Sequence, residues 1–277
     1  MKIKSFSKIN LSLRVLKKKY NKLHNIQSNV FLINLYDEIN IEKIKGLKDI
    51  VVFKGKFKKF INKKNNSIIL ALKILRLYKI INCYYRITIN KKIPVFSGLG
   101  GGTANAASIF KFFIKKKNKK IFEIFEKKIG SDFRLFFNEQ SYQVSLKKLI
   151  NYRKKYNLFF LLLYPNLKCS TKEIYSKVDK FSPKSKINFL KLRSKREFID
   201  LMKNEKNDLQ RPVIKKFPII EKIINLIASQ KGCHFARMTG SGSVCFGVFS
   251  NNELVKAAQV RVSKKYGAYW CKVGRTI

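Results

Sequence analysis

Residues 3–16 alternate along the chain, with Ile9, Leu11, Leu13 and Val15 on one face and Lys8 and Asn10 on the other. That is the two-residue period of a strand. A basic loop at 17–25 follows, then a second strand over 28–35 that ends at Tyr36-Asp37. Residues 39–60 read as short strands or hairpins, and Asn66 opens a helix over 67–79 with apolar positions at helical spacing. Residues 84–90 have the β-branched alternation of a strand. A glycine run leads from it into a helix from Ala106 to about Lys117, with Ile109, Phe112 and Phe113 on its apolar face. A further helix over 119–128 stops at Gly130-Ser131-Asp132.

Beyond about residue 145 the pattern changes. Residues 158–164 form a buried strand stopped by Pro165. Ser170 or Thr171 followed by Glu173 is a helix-start signal, and residues 179–195 are a Lys/Ser-rich surface loop. Helices are expected at 196–204, 218–229 and 254–266. A strand, glycine turn and strand span 233–250, and a last strand covers 268–273. Strands and helices alternate in both halves, so the expected class is α+β, with domains at 1–150 and 151–277.

Charge changes this picture only in part. The 61 Lys and Arg against 16 Asp and Glu leave a net charge of +45. A nucleic-acid or anionic-membrane partner would use such a field. A/T-rich codon usage would also produce it, and the cations are spread over the whole chain rather than gathered in one arm. Five widely spaced cysteines without a CxxC pair argue for a reducing compartment and against a disulfide framework or zinc site. The start of the chain lacks the apolar core of a secretory leader, and the longest apolar run is too short to cross a bilayer. The expectation is a soluble, cytoplasmic protein, a monomer or homodimer, with no membrane or obligate nucleic-acid partner and no dedicated protein metal site.

The chemistry is concentrated at Pro94-Val95-Phe96-Ser97-Gly98-Leu99-Gly100-Gly101-Gly102-Thr103-Ala104-Asn105. Glycines between a strand and a helix let the backbone approach a ligand closely. The first N–H groups of the helix and its dipole favour an anion there. Neither the Walker A lysine nor the G-x-G-x-x-G spacing is present.

This stretch resembles the phosphate loop of the GHMP kinases. Three further segments are similar to that superfamily's motifs and occur in its order: Ser7-Lys8-Ile9-Asn10-Leu11, Gly130-Ser131-Asp132 and Met238-Thr239-Gly240-Ser241-Gly242-Ser243. Weaker echoes are Asn207-Asp208-Leu209 and Cys169-Ser170-Thr171 with Tyr175. The resemblance implies a two-domain fold, with an N-terminal ribosomal-S5-like nucleotide-binding domain and a C-terminal ferredoxin-like domain. It implies ATP, with Mg2+ carried on its phosphates, and phosphorylation of the 2-hydroxyl of a cytidyl-diphosphate methylerythritol, a step of the non-mevalonate route to isoprenoid precursors. Rival readings are a homoserine- or mevalonate-type kinase of the same superfamily and a basic RNA-binding protein.

By the same resemblance Asp132 would accept the proton of the attacking alcohol, and Lys8 would stabilise charge on that oxygen and on the γ-phosphate. ATP would be held by Pro94, Gly98, Leu99, Gly100, Gly101, Gly102 and Thr103, with Asn66 and Asn105 near adenine and Lys91 just before the loop. Asn66 reads equally as a helix cap, and Asn105 as a first-turn residue. The cytidyl end would fall to Asn10, His24 and Tyr175, and Gly240 and Gly242 would close the site. Two positions depart from the family pattern: Leu23 stands where a Tyr is frequent, and Arg134 where a Pro usually follows.

Overall fold

The computed structural model describes residues 1–18, 24–116 and 118–277. Contacts gather the chain into two units. One comprises Met1–Lys8, Leu35–Val95 and Gly100–Phe137. The other comprises Ile9–Asn34, Phe96–Leu99 and Asn138–Ile277.

The first unit takes residues 2–8 of β1 (Lys2–Lys18) and residues 35–44 of β2 (His24–Ile44). It continues with β3 (Ile50–Lys54), α1 (Ser67–Leu77), β4 (Tyr84–Asn90), α2 (Gly101–Phe113) and α3 (Lys119–Ile129), and ends in a 3-10 helix, Ser131–Phe137. β2 pairs antiparallel with β4, and β3 pairs parallel with β4. The parallel pair needs a crossover, which α1 supplies. α1 packs on α2 and α3, and the 3-10 helix on α2 and α3. Ile39, Ile41, Ile87 and Ile89 are buried in the strands, and Ile68, Leu75, Ile109 and Phe125 in the helices.

The second unit takes the rest of β1 and β2. β5 (Gln140–Ser145) pairs antiparallel with β2, and β6 (Lys148–Asn151) with β5. Then follow β7 (Phe159–Tyr164), α4 (Thr171–Ser176), α5 (Lys195–Asn204), α6 (Gln210–Lys216) and α7 (Ile219–Ala228). The chain ends with β8 (Cys233–Met238), β9 (Cys245–Phe249), α8 (Asn252–Lys265) and β10 (Trp270–Arg275). The last four strands form an antiparallel sheet in the order β10-β7-β9-β8. α7 packs on β8 and β9, and α8 on β7 and β10. This is the ferredoxin-like order anticipated from the sequence. Ile220, Ile223, Ile224 and Ile227 give α7 the buried stripe that seats it.

Five elements differ from expectation. α2 begins at Gly101 rather than Ala106, because the glycines themselves form its first turn. β2 runs on to Ile44, since pairing with β4 extends it past the polar stretch after Asp37. β5 and β6 are additional strands. α6 is an additional helix that carries Pro212 in its first turn, where a missing N–H costs nothing. Leu23 lies outside the described residues. Among the described residues no helix is long and apolar enough to cross a membrane.

Phe198 is fully buried in the second unit and stacks on Tyr156 and Phe31 at centroid distances of 4.3 and 5.4 Å. Phe198→Ala is expected to lower stability by about 3–5 kcal/mol, read from the urea midpoint at unchanged slope.

Candidate active site

Alternation along β1 places Lys8 and Asn10 on the face opposite Ile9, and that face is buried as well: Lys8 and Asn10 are each 3% exposed. Buried lysines are rare unless their charge is matched. In the first unit Lys8 Nζ stands 3.4 Å from Asp132 Oδ2, and the Asp132 side chain is 40% exposed, so its carboxylate remains open to a ligand. Asp132 lies in the first turn of the 3-10 helix, directly after the break at Gly130 that ends α3.

Gly100 brings the loop to this pair. Its φ is 69°, and a Cβ there would lie 2.8 Å from Phe136 Cζ and 3.2 Å from Lys8 Cε. Gly100 is also the N-cap of α2 and offers no side chain to cap it. The start of α2 is thereby left to an anion, which the helix dipole favours. Thr103 is half-buried in that first turn. The Gly102 carbonyl accepts a 2.7 Å hydrogen bond from Ser67 Oγ, which ties the start of α2 to the start of α1.

Lys91 is buried under the loop. Its ammonium is paired with the fully buried Asp37, whose other oxygen accepts the backbone N–H groups of Lys92 and Ile93 at 2.8 and 2.9 Å. A Cβ on Gly101 would stand 3.4 Å from Lys91 Nζ. Pro94 is buried just beyond. Asn66 caps α1, its Oδ1 accepting from Ile68 and Ile69 N–H at 3.1 Å each, while its Nδ2 donates to Asn62 O at 3.0 Å. Asn105 is buried in α2, and its Oδ1 is without a hydrogen-bond partner among the described residues.

The second unit holds the other predicted residues. Gly98 (φ 77°) packs so closely that a Cβ would fall 2.1 Å from Thr239 O, and Val244 N–H donates to Ser97 O at 3.2 Å. Leu99 is fully buried. The first half of the loop is thus seated on the turn that carries Gly240 and Gly242. Asn207 holds that turn, with Nδ2 donating to Met238 O and Gly240 O at 2.7 and 2.8 Å. Asn10 N–H donates to Thr239 Oγ1 at 2.9 Å, and its Nδ2 donates to Ser28 Oγ at 2.8 Å. His24 and Tyr175 come together with ring centroids 5.3 Å apart.

Two contributors escaped sequence reasoning. Phe181, 42% exposed, stacks on His24 at 5.9 Å, and the only signal for it was an aromatic ring in a Lys/Ser-rich loop. Asp37 acts on a segment remote in sequence, and no local pattern marks such a partner; Asn207 stood in the sequence only as part of the weak echo Asn207-Asp208-Leu209, with no role attached. The cysteines are free; burial pushes the Cys169 thiol up to about 11 and Cys233 to about 12, so these two do not serve as thiolate nucleophiles at neutral pH.

A lysine–aspartate pair beside an uncapped, glycine-started helix suits phosphoryl transfer to an alcohol. The sequence agrees: residues 66–128 match the GHMP kinases N terminal domain and residues 187–268 the GHMP kinases C terminal description. The chain is 38% identical to the 4-diphosphocytidyl-2-C-methyl-D-erythritol kinase of Pelagibacter ubique, over 100% of its own length and 99% of the relative. It is 31% identical to the kinase of that name from Caldanaerobacter subterraneus subsp. tengcongensis, over 93% of this chain and 91% of the relative. A crystal structure of 4-(cytidine 5'-diphospho)-2C-methyl-D-erythritol kinase superposes over 100% of both chains with a TM-score of 0.77 at 19% identity, a likeness of fold. The chain belongs to the GHMP kinase family, among its 4-diphosphocytidyl-2-C-methyl-D-erythritol kinases.

Gly100→Ala tests the close approach at the loop. The added methyl forces Lys8 and Phe136 apart on a left-handed backbone. Expected is a fall in kcat/KM for ATP of about a hundredfold, measured by steady-state kinetics on folded protein.

Proposed function

We propose that this protein transfers the γ-phosphoryl group of ATP to the 2-hydroxyl of 4-diphosphocytidyl-2-C-methyl-D-erythritol, in the non-mevalonate route to isoprenoid precursors. The observation that carries the reading is the Lys8–Asp132 pair packed against Gly100 at the start of α2. The ATP phosphates lie at the α2 N-terminus, over Gly100–Gly102. Asp132 accepts the proton of the attacking hydroxyl, with its exposed carboxylate free to meet the substrate. Lys8 stabilises the negative charge that gathers on the attacking oxygen and the transferred phosphoryl group.

Lys91 serves from below, as the charge that holds Asp37 and so the entry to the loop. Asn66 and Asn105 lie on the adenine side, the latter with an acceptor for which the described residues supply no donor. Magnesium carried on ATP would add positive charge between the phosphates. Among the described residues no group of three or more His, Cys, Asp or Glu could hold it alone. The Thr103 hydroxyl, in the first turn of α2, suits the one or two protein ligands that such an ion takes.

In the second unit the His24, Tyr175 and Phe181 rings offer faces on which cytosine can stack, and the imidazole can read its edge. Asn10 and the Gly240–Gly242 turn complete the substrate side. We assign residues 1–150 to the ATP-binding domain and 151–277 to the C-terminal domain, and the reaction to the cytoplasm, which the free thiols favour.

Asp132→Asn should keep ATP binding and the thermal midpoint and reduce turnover about 10²–10⁴-fold. Near-normal turnover of the purified variant defeats the base assignment.

Substrate choice is tested separately. Tyr175→Ala and His24→Ala should each raise KM for the cytidyl substrate about tenfold or more, with KM for ATP nearly unchanged. Wild-type preference for homoserine or mevalonate over the cytidyl substrate would leave only the superfamily.

A further inference from the structure

Asp132 owes its position to a backbone segment that has an unusual shape. Seven residues, Ser131–Phe137, follow one another in a 3-10 helix. Such helices rarely exceed three or four residues, because their hydrogen bonds are poor, so outside contacts must hold this one. On its apolar side Phe133 is fully buried, with Phe110 and Phe125 at 5.5 and 5.3 Å between ring centroids. The contact with Lys8, at 3.4 Å, is longer than a charge-assisted hydrogen bond and does not by itself fix the carboxylate.

The polar side is held by Arg134. Its Nε donates to Glu126 Oε1 at 2.7 Å and its second guanidinium nitrogen to Glu126 Oε2 at 2.6 Å, a two-point fork. The guanidinium also lies 5.1 Å from the Phe122 ring centroid. Both partners are largely buried, with side chains 29% and 17% exposed. Glu126 belongs to the last turn of α3, so the fork spans the break at Gly130 and ties the 3-10 helix to a regular one. A planar fork restrains angle as well as distance, which a lysine ammonium cannot do.

We propose that the Glu126–Arg134 fork is a positioning device for Asp132: it sets the angle at which the 3-10 helix leaves Gly130 and so aims the carboxylate. The Arg134 guanidinium is engaged by Glu126, and it acts on Asp132 through the backbone two residues before it. This inference rests on the reading of Asp132 as the general base.

The test uses the full chain in five forms beside wild type: Asp132→Asn, Arg134→Ala, Arg134→Lys, Glu126→Gln, and Asp132→Asn combined with Arg134→Ala. Thermal midpoints establish that each is folded at the assay temperature. Arg134→Ala should lower kcat about tenfold to a hundredfold, with both KM values within about twofold of wild type. Glu126→Gln, which keeps the shape of the side chain, should show the same split, and Arg134→Lys should fail to restore kcat. In the Asp132→Asn background, Arg134→Ala should cost nothing further, because there is no carboxylate left to aim.

Wild-type kcat in a folded Arg134→Ala or Glu126→Gln, with Asp132→Asn inactive, overturns the inference and leaves the base assignment standing. A further loss in the Asp132→Asn background also overturns it, by showing that Arg134 acts on something else. If Asp132→Asn itself turns over normally, the base assignment fails first and the inference with it. Should Arg134→Ala not fold, Glu126→Gln decides by the same criteria.

Discussion

Everything at the Lys8–Asp132 pair depends on the missing side chain of residue 100. Phe136 and Lys8 occupy the volume that any side chain there would need. Because no Cβ claims that volume, a lysine from the first strand, an aromatic ring from the 3-10 helix and the first turn of α2 converge on one spot. Gly100 also ends the loop in a left-handed conformation, which starts the helix without a capping side chain. The same residue therefore sets the steric and the electrostatic character of the site. A loop that merely connected strand to helix would have no use for either.

Burial of polar groups separates this site from ordinary surface chemistry. In a chain with 61 lysines and arginines most cations are unremarkable. Lys8 and Lys91 differ because they are both 3% exposed and each meets a carboxylate. Charge taken out of water is held only where a partner stands ready, and there it acts with less screening. Lys91 spends its charge on Asp37, which organises the entry to the loop through two backbone N–H groups. Lys8 meets a carboxylate that is partly open to solvent.

The parts that were legible in the sequence are those specified within a few residues. The glycine run, the alternation around Lys8 and the Gly-Ser-Asp break each carry their own local signal, and the structure brings Lys8, Asp132 and Gly100 together. His24 and Tyr175, which resemblance alone sets at one end of the site, stand together in the structure, though nothing in their neighbourhoods marks them. The misses are long-range. Asp37 lies 54 residues from Lys91 and reads as the end of a strand. The strand in fact continues because β4 is there to pair with it. Helix α2 was placed late because glycine is a poor helix former. Here contacts from Ser67, Ile93 and Phe136 hold the first turn, and propensity is overridden.

The buried Asp37–Lys91 pair has a consequence for how this sequence can change over time. Compositional drift toward lysine and asparagine acts on one codon at a time. At Asp37 a single step to asparagine would strand the ammonium of Lys91 in the interior and remove the charge that the Lys92 and Ile93 amides point at. At Lys91 a single step to asparagine would strand the carboxylate instead. Neither intermediate is a quiet stop on the way to an uncharged pair, since an unmatched interior charge is far more disruptive than losing both partners together. The two positions are therefore coupled by physics rather than by proximity in the gene, at a carboxylate that never meets solvent.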